Sequence, residues 1–489
     1  MSLTQYNLSE LSQKIQSQEL TAREVVADYL KKSTADFTSK KSLGVYLTLA
    51  SEQALARASE IDKKITAGEN AGELAGVPIA VKDIIVTRGI NTTAGSKILK
   101  NYVPPYSATV VEKLESVGAI VIGKTNCDEF AMGASGENSG FHPTHNPWDV
   151  LRVPGGSSSG SAAAVAAGFA PAALGTDTGG SIRQPAAFCG VVGFKPTYGR
   201  VSRFGLMAMT SSLDQAGPFA RTVADASLLL KIMSGVDKRD ATSVNTSVPD
   251  YPALLNKDIK KIKIGVPKEF FGEGLVPEVK KVVEEAIDKL AELGAEIIPV
   301  SLPSMPYALA AYYILCPAEV STNLARFDGL KYGESLRDKD LFTTLAKTRG
   351  ELFGREVKRR IMLGTFVLSA GYYDAYYKSA LAAREAIKSD FNRVFKEVDI
   401  LATPTTPTTA FELGSKNQDP LAMYLADVYT VPVNIAGLPA ISVPCGLSAG
   451  LPVGLQLIGN MWQEEKILQM AYNYEQATEW SKLRPKIKS

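Results

Sequence analysis

The chain has 489 residues, of which 45% are hydrophobic and 21% are charged, so it carries ample apolar material for a large buried core. Its 53 Lys and Arg residues nearly balance its 51 Asp and Glu residues, and a net charge of +2 gives no electrostatic basis for binding nucleic acid or an anionic membrane unaided. Only two histidines are present, His142 and His145, so catalysis that needs a histidine must use one of this pair.

The cysteines and the N-terminus indicate the compartment. The four cysteines lie far apart without a Cys-x-x-Cys spacing, which argues against a disulfide scaffold and a zinc motif and favours reduced thiols. The N-terminus lacks a basic segment followed by an apolar run, and the longest apolar stretch, residues 162–174, is too short to span a bilayer. We therefore expect a cytoplasmic protein, or one of an equivalent organellar matrix, with no membrane contact and no metal site.

Residues 1 to about 70 are predicted to be helical. The sequence Thr21-Ala-Arg-Glu24 has the pattern of a capping box, and apolar residues follow it at helical spacing. A second helix is expected over residues 51–65.

From about residue 74 to 220, short apolar runs alternate with turns rich in glycine and serine. Strands are predicted at residues 77–81, 119–122 and 172–175, with a small-residue helix at 160–168 between the last two. Strands separated by helical stretches favour an α/β fold with a largely parallel or mixed sheet. The density of glycine in this region indicates close approach of the backbone to other backbone or to a ligand, so we expect the chemistry here.

Residues 221–489 are expected to complete the sheet and the substrate pocket. No linker is long enough to mark a boundary, which favours a single domain over residues 1–489. The predicted elements are a strand at 261–266, a helix that starts at Pro277 and is stopped by Gly294, a strand at 295–300, helical structure over 304–396, strands at 399–403, 440–444 and 453–458, and a last helix at 464–480.

Three segments carry residues suited to nucleophilic catalysis: residues 76–83, 154–161 and 176–183. The first ends an apolar run in a lysine, Lys82, and the other two are rich in Gly, Ser and Thr. Each segment also has an ordinary structural interpretation, because a lysine after a strand is usually solvated and a Gly/Ser loop is usually a turn.

Several familiar catalytic motifs are excluded by single residues. Residues 155–160 have the spacing of a phosphate loop, but Ser161 stands where its lysine is required. The same loop fits the Gly-x-Ser-x-Gly nucleophile elbow, which needs a downstream histidine, and none follows His145. A Cys-His glutaminase centred on Cys189 fails for the same reason. What remains is a serine nucleophile activated by a lysine, and burial of Lys82 at the end of an apolar strand would lower its pKa from about 10.4 towards about 7.

The three segments, Gly76-Val-Pro-Ile-Ala-Val-Lys82-Asp, Arg152-Val-Pro-Gly-Gly-Ser157-Ser-Ser-Gly-Ser and Gly175-Thr-Asp-Thr-Gly-Gly-Ser181-Ile-Arg, closely resemble the amidase signature family. Within it, the chain is most similar to the glutaminase subunits of tRNA-dependent amidotransferases. Residues 124–132, 323–329 and 357–377 extend the likeness over almost the whole chain. One departure is Ser159, where the family loop commonly has glycine.

The resemblance implies the amidase signature fold, a large mixed central β-sheet covered by helices on both faces, and a Ser-Ser-Lys triad. Ser181 would be the nucleophile, Ser157 the bridging serine on a cis peptide, and Lys82 the base. The successive backbone N–H groups beside the nucleophile suit an oxyanion hole, whose candidate residues are Thr178, Gly179 and Gly180.

The resemblance also implies a site for the two charged α-groups of glutamine. Arg360 would bind the α-carboxylate, Asp427 the α-ammonium, and Tyr312 would lie near the amide. The neighbouring Arg359 and Tyr313 stay open as alternatives to Arg360 and Tyr312.

The function implied is that of a glutaminase subunit whose ammonia passes to a partner that amidates Glu-tRNA(Gln) with ATP, with Asp-tRNA(Asn) as a further candidate substrate. The expected partners are the B and C subunits of a heterotrimer. ATP and magnesium would be bound by the partner, tRNA mainly by the partner, and no cofactor by this chain. Two alternatives are a stand-alone amidase acting on another small or acyl amide, and a non-catalytic scaffold, against which the intact Lys82, Ser157 and Ser181 argue.

Overall fold

One mixed β-sheet organises the chain. The computed structural model describes residues 3–416 and 418–487, and within these ranges the sheet has eleven strands in the order β1-β3-β2-β4-β6-β5-β10-β11-β9-β7-β8. The strands are β1 (Tyr46–Leu49), β2 (Pro78–Lys82), β3 (Ile120–Thr125), β4 (Ala172–Asp177), β5 (Val192–Lys195), β6 (Gln215–Ala220), β7 (Lys263–Pro267), β8 (Glu296–Val300), β9 (Ile400–Pro404), β10 (Ala440–Ser448) and β11 (Leu451–Gly459).

Sixteen α-helices accompany the sheet in the same described ranges. They are α1 (Leu8–Gln16), α2 (Ala22–Phe37), α3 (Ser51–Thr66), α4 (Thr109–Ser116), α5 (Ser159–Ala166), α6 (Arg183–Cys189), α7 (Val223–Met233), α8 (Tyr251–Leu254), α9 (Pro277–Glu292), α10 (Ala308–Asn323), α11 (Leu341–Leu352), α12 (Arg355–Val367), α13 (Ser379–Val394), α14 (Pro420–Tyr424), α15 (Val431–Ala436) and α16 (Glu464–Gln476).

The sheet is mixed and covered on both faces, as predicted. β2 pairs in parallel with β3 and β4, β7 pairs in parallel with β8 and β9, and the remaining pairs are antiparallel. Every residue of β2, β3 and β4 is buried. Because successive side chains of a strand point to opposite faces, this burial requires cover on each side of the sheet.

Most predicted elements are confirmed within a few residues. The capping box forms, with Thr21 and Glu24 each bonding the other's backbone N–H at the start of α2. Helix α9 begins at Pro277, and Gly294 follows it with φ +99°. The predicted last helix is too long, since α16 ends at Gln476 and a short 3₁₀ turn covers Trp480–Lys482.

Two differences concern regions where glycine and proline obscure the pattern. Strands β1, β5 and β6 were not predicted: β1 lies in the N-terminal segment that was expected to be helical, β5 is short, and β6 contains Gly217 and Pro218. Gly217 is needed there, since a Cβ would lie 2.1 Å from the carbonyl oxygen of Phe194 on β5. The helical stretch predicted over 304–396 is interrupted between α10 and α11, where Gly329 and Gly333 take positive φ.

Two further properties bear on function. In the described part of the chain no helix is long and apolar enough to cross a membrane. Over the same residues, no group of three or more His, Cys, Asp or Glu side chains is arranged to hold a metal ion.

Candidate active site

Lys82 is the last residue of β2, an interior strand of the sheet, and is fully buried. Its Nζ donates to Ser157 Oγ at 2.7 Å and to Thr176 Oγ1 at 2.8 Å. Thr176 belongs to β4, which runs parallel to β2, so both side chains lie towards the carboxyl ends of neighbouring strands. This edge is where open α/β sheets commonly place their ligands.

Burial lowers the pKa of Lys82 from 10.5 to about 8, in the direction that the sequence predicts. The same effect lowers the pKa of Lys124 to about 8 and that of Lys195 to about 7, so a lowered pKa alone does not identify a base. Lys124 donates to the carbonyl of Ile85 and to threonine hydroxyls, and Lys195 donates to a backbone carbonyl. Of the three lysines, Lys82 is the one that donates to a serine hydroxyl.

Ser157 lies in a tight loop that leads into α5. The Gly156–Ser157 peptide is cis, as the resemblance implies, and Gly155 has φ +84°. Asp128 donates its backbone N–H to the Ser157 carbonyl at 3.2 Å. A Cβ on Gly156 would lie 2.1 Å from Asp128 Oδ2, so only glycine fits at this position.

The departure at Ser159 is accommodated away from Lys82. Its hydroxyl lies 3.2 Å from Thr144 Oγ1 and donates to the Asn126 carbonyl at 3.4 Å. Room for the Ser159 side chain comes from Gly136, because a Cβ there would lie 2.5 Å from Ser159 Cβ.

Ser181 follows the turn that leaves β4. The carboxylate of Asp177 fixes this turn by accepting from the backbone N–H groups of Gly180 at 2.9 Å and Ile182 at 3.2 Å, and from Arg183 in a buried ion pair at 3.0 Å. Burial would raise the pKa of Asp177, but the Arg183 guanidinium holds it well below its usual range. The nucleophile candidate therefore stands on a turn whose buried charge is already paired.

The structure places Ser181 next to the Ser157 loop, but the hydrogen bond from Lys82 to Ser157 does not continue to Ser181. The backbone N–H of Ser158 donates to the Ser181 carbonyl at 3.3 Å, and Ser181 is 9% exposed, so its side chain is within reach of a substrate. Across residues 3–416 and 418–487, no hydrogen bond joins the hydroxyls of Ser157 and Ser181.

The predicted oxyanion residues have different surroundings. The N–H of Gly180 already donates to Asp177, whereas the N–H groups of Gly179 and Ser181 have no acceptor among the residues described. The side chain of Thr178 is tied away from the turn, because its hydroxyl donates to Asp214 at 2.7 Å. The backbone N–H of Thr178 also has no acceptor among the residues described, so Thr178, Gly179 and Ser181 are better candidates than Gly180 to donate to an oxyanion.

Arg360 projects from α12 into a small cleft. Its Nε donates to Glu356 Oε1 at 2.9 Å, and its guanidinium lies 5.3 Å from the Tyr313 ring and 5.7 Å from the Tyr424 ring. Arg359 also lines the cleft, but its side chain is 29% exposed against 4% for Arg360. The residues that line the cleft are Gly133, Ala134, Asn138, Tyr313, Glu356, Arg359, Arg360, Lys416, Pro420, Met423 and Tyr424.

Asp427 is buried near Arg360, and its Oδ1 atom has no hydrogen-bond partner among the residues described. Burial raises the pKa of Asp427 well above its usual range, and the Arg360 charge opposes this effect. A buried oxygen without a partner costs free energy in the empty protein. A cationic group of a ligand would supply the missing partner.

Two tyrosines of α10 connect the serines with the cleft. The Tyr312 ring lies against the nucleophile turn, because a Cβ on Gly179 would be 2.7 Å from Tyr312 Cζ. Tyr313 stacks on Tyr424 with ring centroids 3.8 Å apart, and the two tyrosines of α10 meet edge to face at 5.0 Å. Tyr312 therefore faces the serines and Tyr313 faces Arg360.

Sequence reasoning missed several residues that hold this site. Thr176 and Asp177 lay inside a motif already singled out, and Glu356 lies one helical turn before Arg360, so the sequence contained a local signal for these three. Asp128 lay in residues 124–132, which the resemblance singled out without a role, and Tyr424 carried no signal, since only the fold brings it to the site.

A family model described as Amidase matches residues 24–468. The chain belongs to the amidase family. Two curated relatives are A subunits of glutamyl-tRNA(Gln) amidotransferases: that of Carboxydothermus hydrogenoformans is 56% identical over 490 residues, and that of Desulforamulus reducens is 54% identical over 488 residues, with 100% of both chains covered in each case.

Solved amidase structures agree with the fold. The crystal structure of the A subunit of glutamyl-tRNA(Gln) amidotransferase from Thermotoga maritima is 42% identical and aligns with a TM-score of 0.76 over 96% of this chain and 99% of that chain. The native peptide amidase from Stenotrophomonas maltophilia is 32% identical and aligns with a TM-score of 0.81 over 99% of each chain. The family resemblance and the fold inferred from the sequence are thus confirmed.

Proposed function

We propose that this chain is the glutamine-hydrolysing subunit of a tRNA-dependent amidotransferase, in which Ser181, Ser157 and Lys82 release ammonia for use by a partner subunit. One observation carries the proposal: a buried lysine donates to a serine beside the Ser181 turn, the adjoining cleft is lined by the buried Arg360, and the buried Asp427 nearby has an oxygen without a partner among the described residues. Glutamine is an amide with one anionic and one cationic α-group, which matches this pair of charges.

The chemistry follows from the buried lysine. Neutral Lys82 accepts a proton through the Ser157 hydroxyl as Ser181 Oγ attacks the carboxamide carbon of glutamine. The N–H groups of Gly179 and Ser181 donate to the oxygen that becomes negative. When the C–N bond breaks, the proton returns through Ser157 to the leaving nitrogen, which departs as ammonia. Water then hydrolyses the glutamyl ester of Ser181 and yields glutamate.

Arg360 and Asp427 orient the substrate for this attack. Arg360 binds the α-carboxylate through the guanidinium nitrogens that Glu356 leaves free, and Asp427 accepts from the α-ammonium with its unpartnered oxygen. The Tyr312 ring lies between this cleft and the nucleophile turn. The arrangement would place the side-chain amide of glutamine towards Ser181.

The partners are proposed from the names of the relatives. The curated proteins at 56% and 54% identity are A subunits of amidotransferases, which supports an assembly with B and C subunits. A net charge of +2 fits a chain that leaves tRNA, ATP and magnesium to its partner. This function places the protein in the cytoplasm or in an organellar matrix, where translation takes place.

A stand-alone amidase is the second candidate function. It is favoured by the peptide amidase of Stenotrophomonas maltophilia, which shares the fold over 99% of this chain at 32% identity. The two functions share the reacting serines and differ in the acyl group that the cleft accepts.

The deciding experiment measures ammonia released from glutamine by wild type and Ser181→Ala, each alone and co-purified with the B and C subunits plus ATP and Glu-tRNA(Gln). We expect wild type to be active and to be stimulated by the complex, and Ser181→Ala to be inactive in every combination. If wild type ignores glutamine throughout and hydrolyses simple amides through Ser181, the stand-alone amidase is correct.

A further inference from the structure

A short buried segment, residues 128–130, lies between the reacting serines and the substrate helix. Asp128 donates its backbone N–H to the Ser157 carbonyl at 3.2 Å, and its carboxylate accepts from the backbone N–H groups of Gly136 at 3.1 Å and Asn138 at 2.9 Å. Phe130 packs on Phe327 with ring centroids 4.7 Å apart. One end of the segment is therefore fixed to the serine loop.

The next residue, Glu129, is fixed to helix α12. Its Oε2 accepts from the backbone N–H of Gly354 at 2.7 Å, and its Oε1 accepts from the Ser96 hydroxyl. Gly354 is the residue that caps the N-terminus of α12, and its side-chain position is occupied, because a Cβ there would lie 2.3 Å from Glu129 Oε2. A carboxylate at a helix N-terminus satisfies a free N–H group and is favoured by the helix dipole.

The proposed reaction has no step that uses this contact, yet Glu129 is only 2% exposed and joins residues 225 positions apart in the chain. Burial raises the pKa of its carboxyl to about 7, while hydrogen bonds from Ser96 and Gly354 and the charges of Lys358 and Lys97 oppose that rise. Burial of an ionisable carboxyl group costs free energy, which indicates that the contacts of Glu129 perform a role at this place.

We propose that Glu129 is a positioning residue, which ties the start of α12 to the segment bonded to Ser157 and so sets where Arg360 stands relative to the reacting serines. Arg360 follows Gly354 by six residues on the same helix, which corresponds to about 9 Å along its axis. Because an α-helix moves as a rigid rod over this length, displacement of its first turn displaces the guanidinium. The inference rests on the proposed function only in assigning a substrate carboxylate to Arg360.

The test compares three amides in the complex: glutamine, the monoamide of glutaric acid, which keeps a carboxylate, and neutral butyramide. We expect Glu129→Gln to raise KM for the two carboxylate-bearing amides about tenfold, as loss of a charged hydrogen bond to the helix implies, with kcat nearly unchanged. Butyramide turnover should stay within about twofold of wild type, because that substrate has no group for Arg360 to bind.

Glu475→Gln is the matched control. Glu475 is also buried, its pKa is raised to about 8 by burial, and it accepts from the N–H of Val223 at 2.9 Å at the start of α7. Glu475→Gln therefore removes the same kind of charged hydrogen bond at a helix start outside the site. The KM values of this variant should match those of wild type. Gly354→Ala is the second variant, because its methyl group displaces the Glu129 carboxylate, and it should reproduce the KM effect even if Glu129→Gln does not fold.

The outcomes separate this inference from the proposed function. If wild type hydrolyses glutamine and neither Glu129→Gln nor Gly354→Ala raises KM selectively, or if butyramide turnover falls as much as that of glutamine, the positioning role is refuted. If wild type ignores glutamine but both variants selectively raise KM for the glutaric monoamide, Glu129 acts as proposed and the glutaminase assignment fails.

Discussion

The two halves of the site are stabilised in different ways. In the reacting half, Lys82 and Ser157 are bonded to each other, and Asp177 in the nucleophile turn is paired with Arg183. In the recognition half, Arg360 is held on one edge by Glu356 and lies beside the stacked rings of Tyr313 and Tyr424, while Asp427 keeps a buried oxygen without a partner in the described structure.

Under the proposed function, the reacting half carries out the reaction and the recognition half selects the substrate. In the reacting half, Lys82 and Ser157 are bonded before any substrate arrives, although no hydrogen bond joins the Ser157 and Ser181 hydroxyls among the described residues, and such preorganised polar groups lower a barrier. Under the proposed function, a ligand that brings an anion for Arg360 and a cation for Asp427 completes the recognition half. Substitutions in the first half should lower kcat for every amide, and those in the second should raise KM only for amides that carry a charged group, such as glutamine.

Replacing Lys82 should have the largest effect. We expect Lys82→Met to lower kcat about 10³-fold for glutamine and butyramide alike, because the proton acceptor is lost. For wild type, kcat/KM should rise with pH and level off above about 8, the pKa to which burial lowers Lys82. The measurement is steady-state ammonia release from pH 6 to 9.5, and a flat profile would exclude Lys82 as the base.

The same lysine affects stability with a defined sign. Its folded pKa of about 8 lies below the ordinary value of 10.5, so the unfolded chain binds more protons between these two pH values. The contribution of Lys82 to the free energy of unfolding therefore increases as pH rises from about 8 to 10.5. Lys82→Met should remove that increase, which chemical denaturation at pH 7.5 and 9.5 would measure.

Gly180→Ala should have the next largest effect. Gly180 has φ +134°, and a Cβ there would lie 2.2 Å from Thr430 Oγ1, so the turn must shift to accept a methyl group. We expect kcat to fall about 10²-fold for both amides, since a displacement of about 1 Å is costly at a reacting centre. Gly350→Ala on α11 is the control, because nothing lies within 4 Å of its Cβ position, and it should leave kcat unchanged.

The reacting half was predictable because its residues are local in sequence or sit in strong motifs. Lys82 ends an apolar strand, and elimination of histidine chemistry left a serine activated by a lysine, while the assignment of Ser157 and Ser181 came from the family resemblance. The strands that position Lys82 and Thr176, β2 and β4, were also visible as apolar runs.

The supporting contacts were not predictable, because they join distant parts of the chain. Thr430 Oγ1 donates to the Gly179 carbonyl at 2.7 Å across 251 positions, and Tyr424 donates to Glu356 at 2.9 Å across 68 positions. Periodicity and turn chemistry describe neighbours along the chain, whereas these pairs depend on the order of strands in the sheet. The choice between Arg359 and Arg360 was open for the same reason.

A pair of substitutions sharpens that choice. Arg360→Lys should raise KM for glutamine about 30-fold with little change in kcat, because lysine cannot form a bidentate pair with a carboxylate as the planar guanidinium can. Arg359→Lys, at the more exposed position, should stay within about twofold of wild type. Steady-state kinetics of both variants tests the assignment. If KM for glutamine rises more in Arg359→Lys than in Arg360→Lys, Arg359 binds the carboxylate.

Asp427→Asn should raise KM for glutamine about tenfold, because the ammonium loses a charged partner, and should leave butyramide kinetics unchanged. Burial raises the pKa of Asp427, so the ionised form needed for binding is lost as pH falls. The KM of wild type should therefore increase towards acid pH, and that of Asp427→Asn should lack this increase. A KM for wild type that is constant from pH 8 to 5 would contradict the assignment.

The smallest effect is expected from Tyr424→Phe. This change removes the hydroxyl that donates to Glu356 Oε1 and keeps the ring that stacks on Tyr313 at 3.8 Å. Since Glu356 holds the Nε edge of Arg360, we expect KM for glutamine to rise about threefold, the usual size of one neutral donor's contribution. Tyr307→Phe, at an exposed position, is the control. If Tyr424→Phe instead lowers kcat for butyramide, the stacked rings of Tyr313 and Tyr424 belong to the reacting half and not to the recognition half.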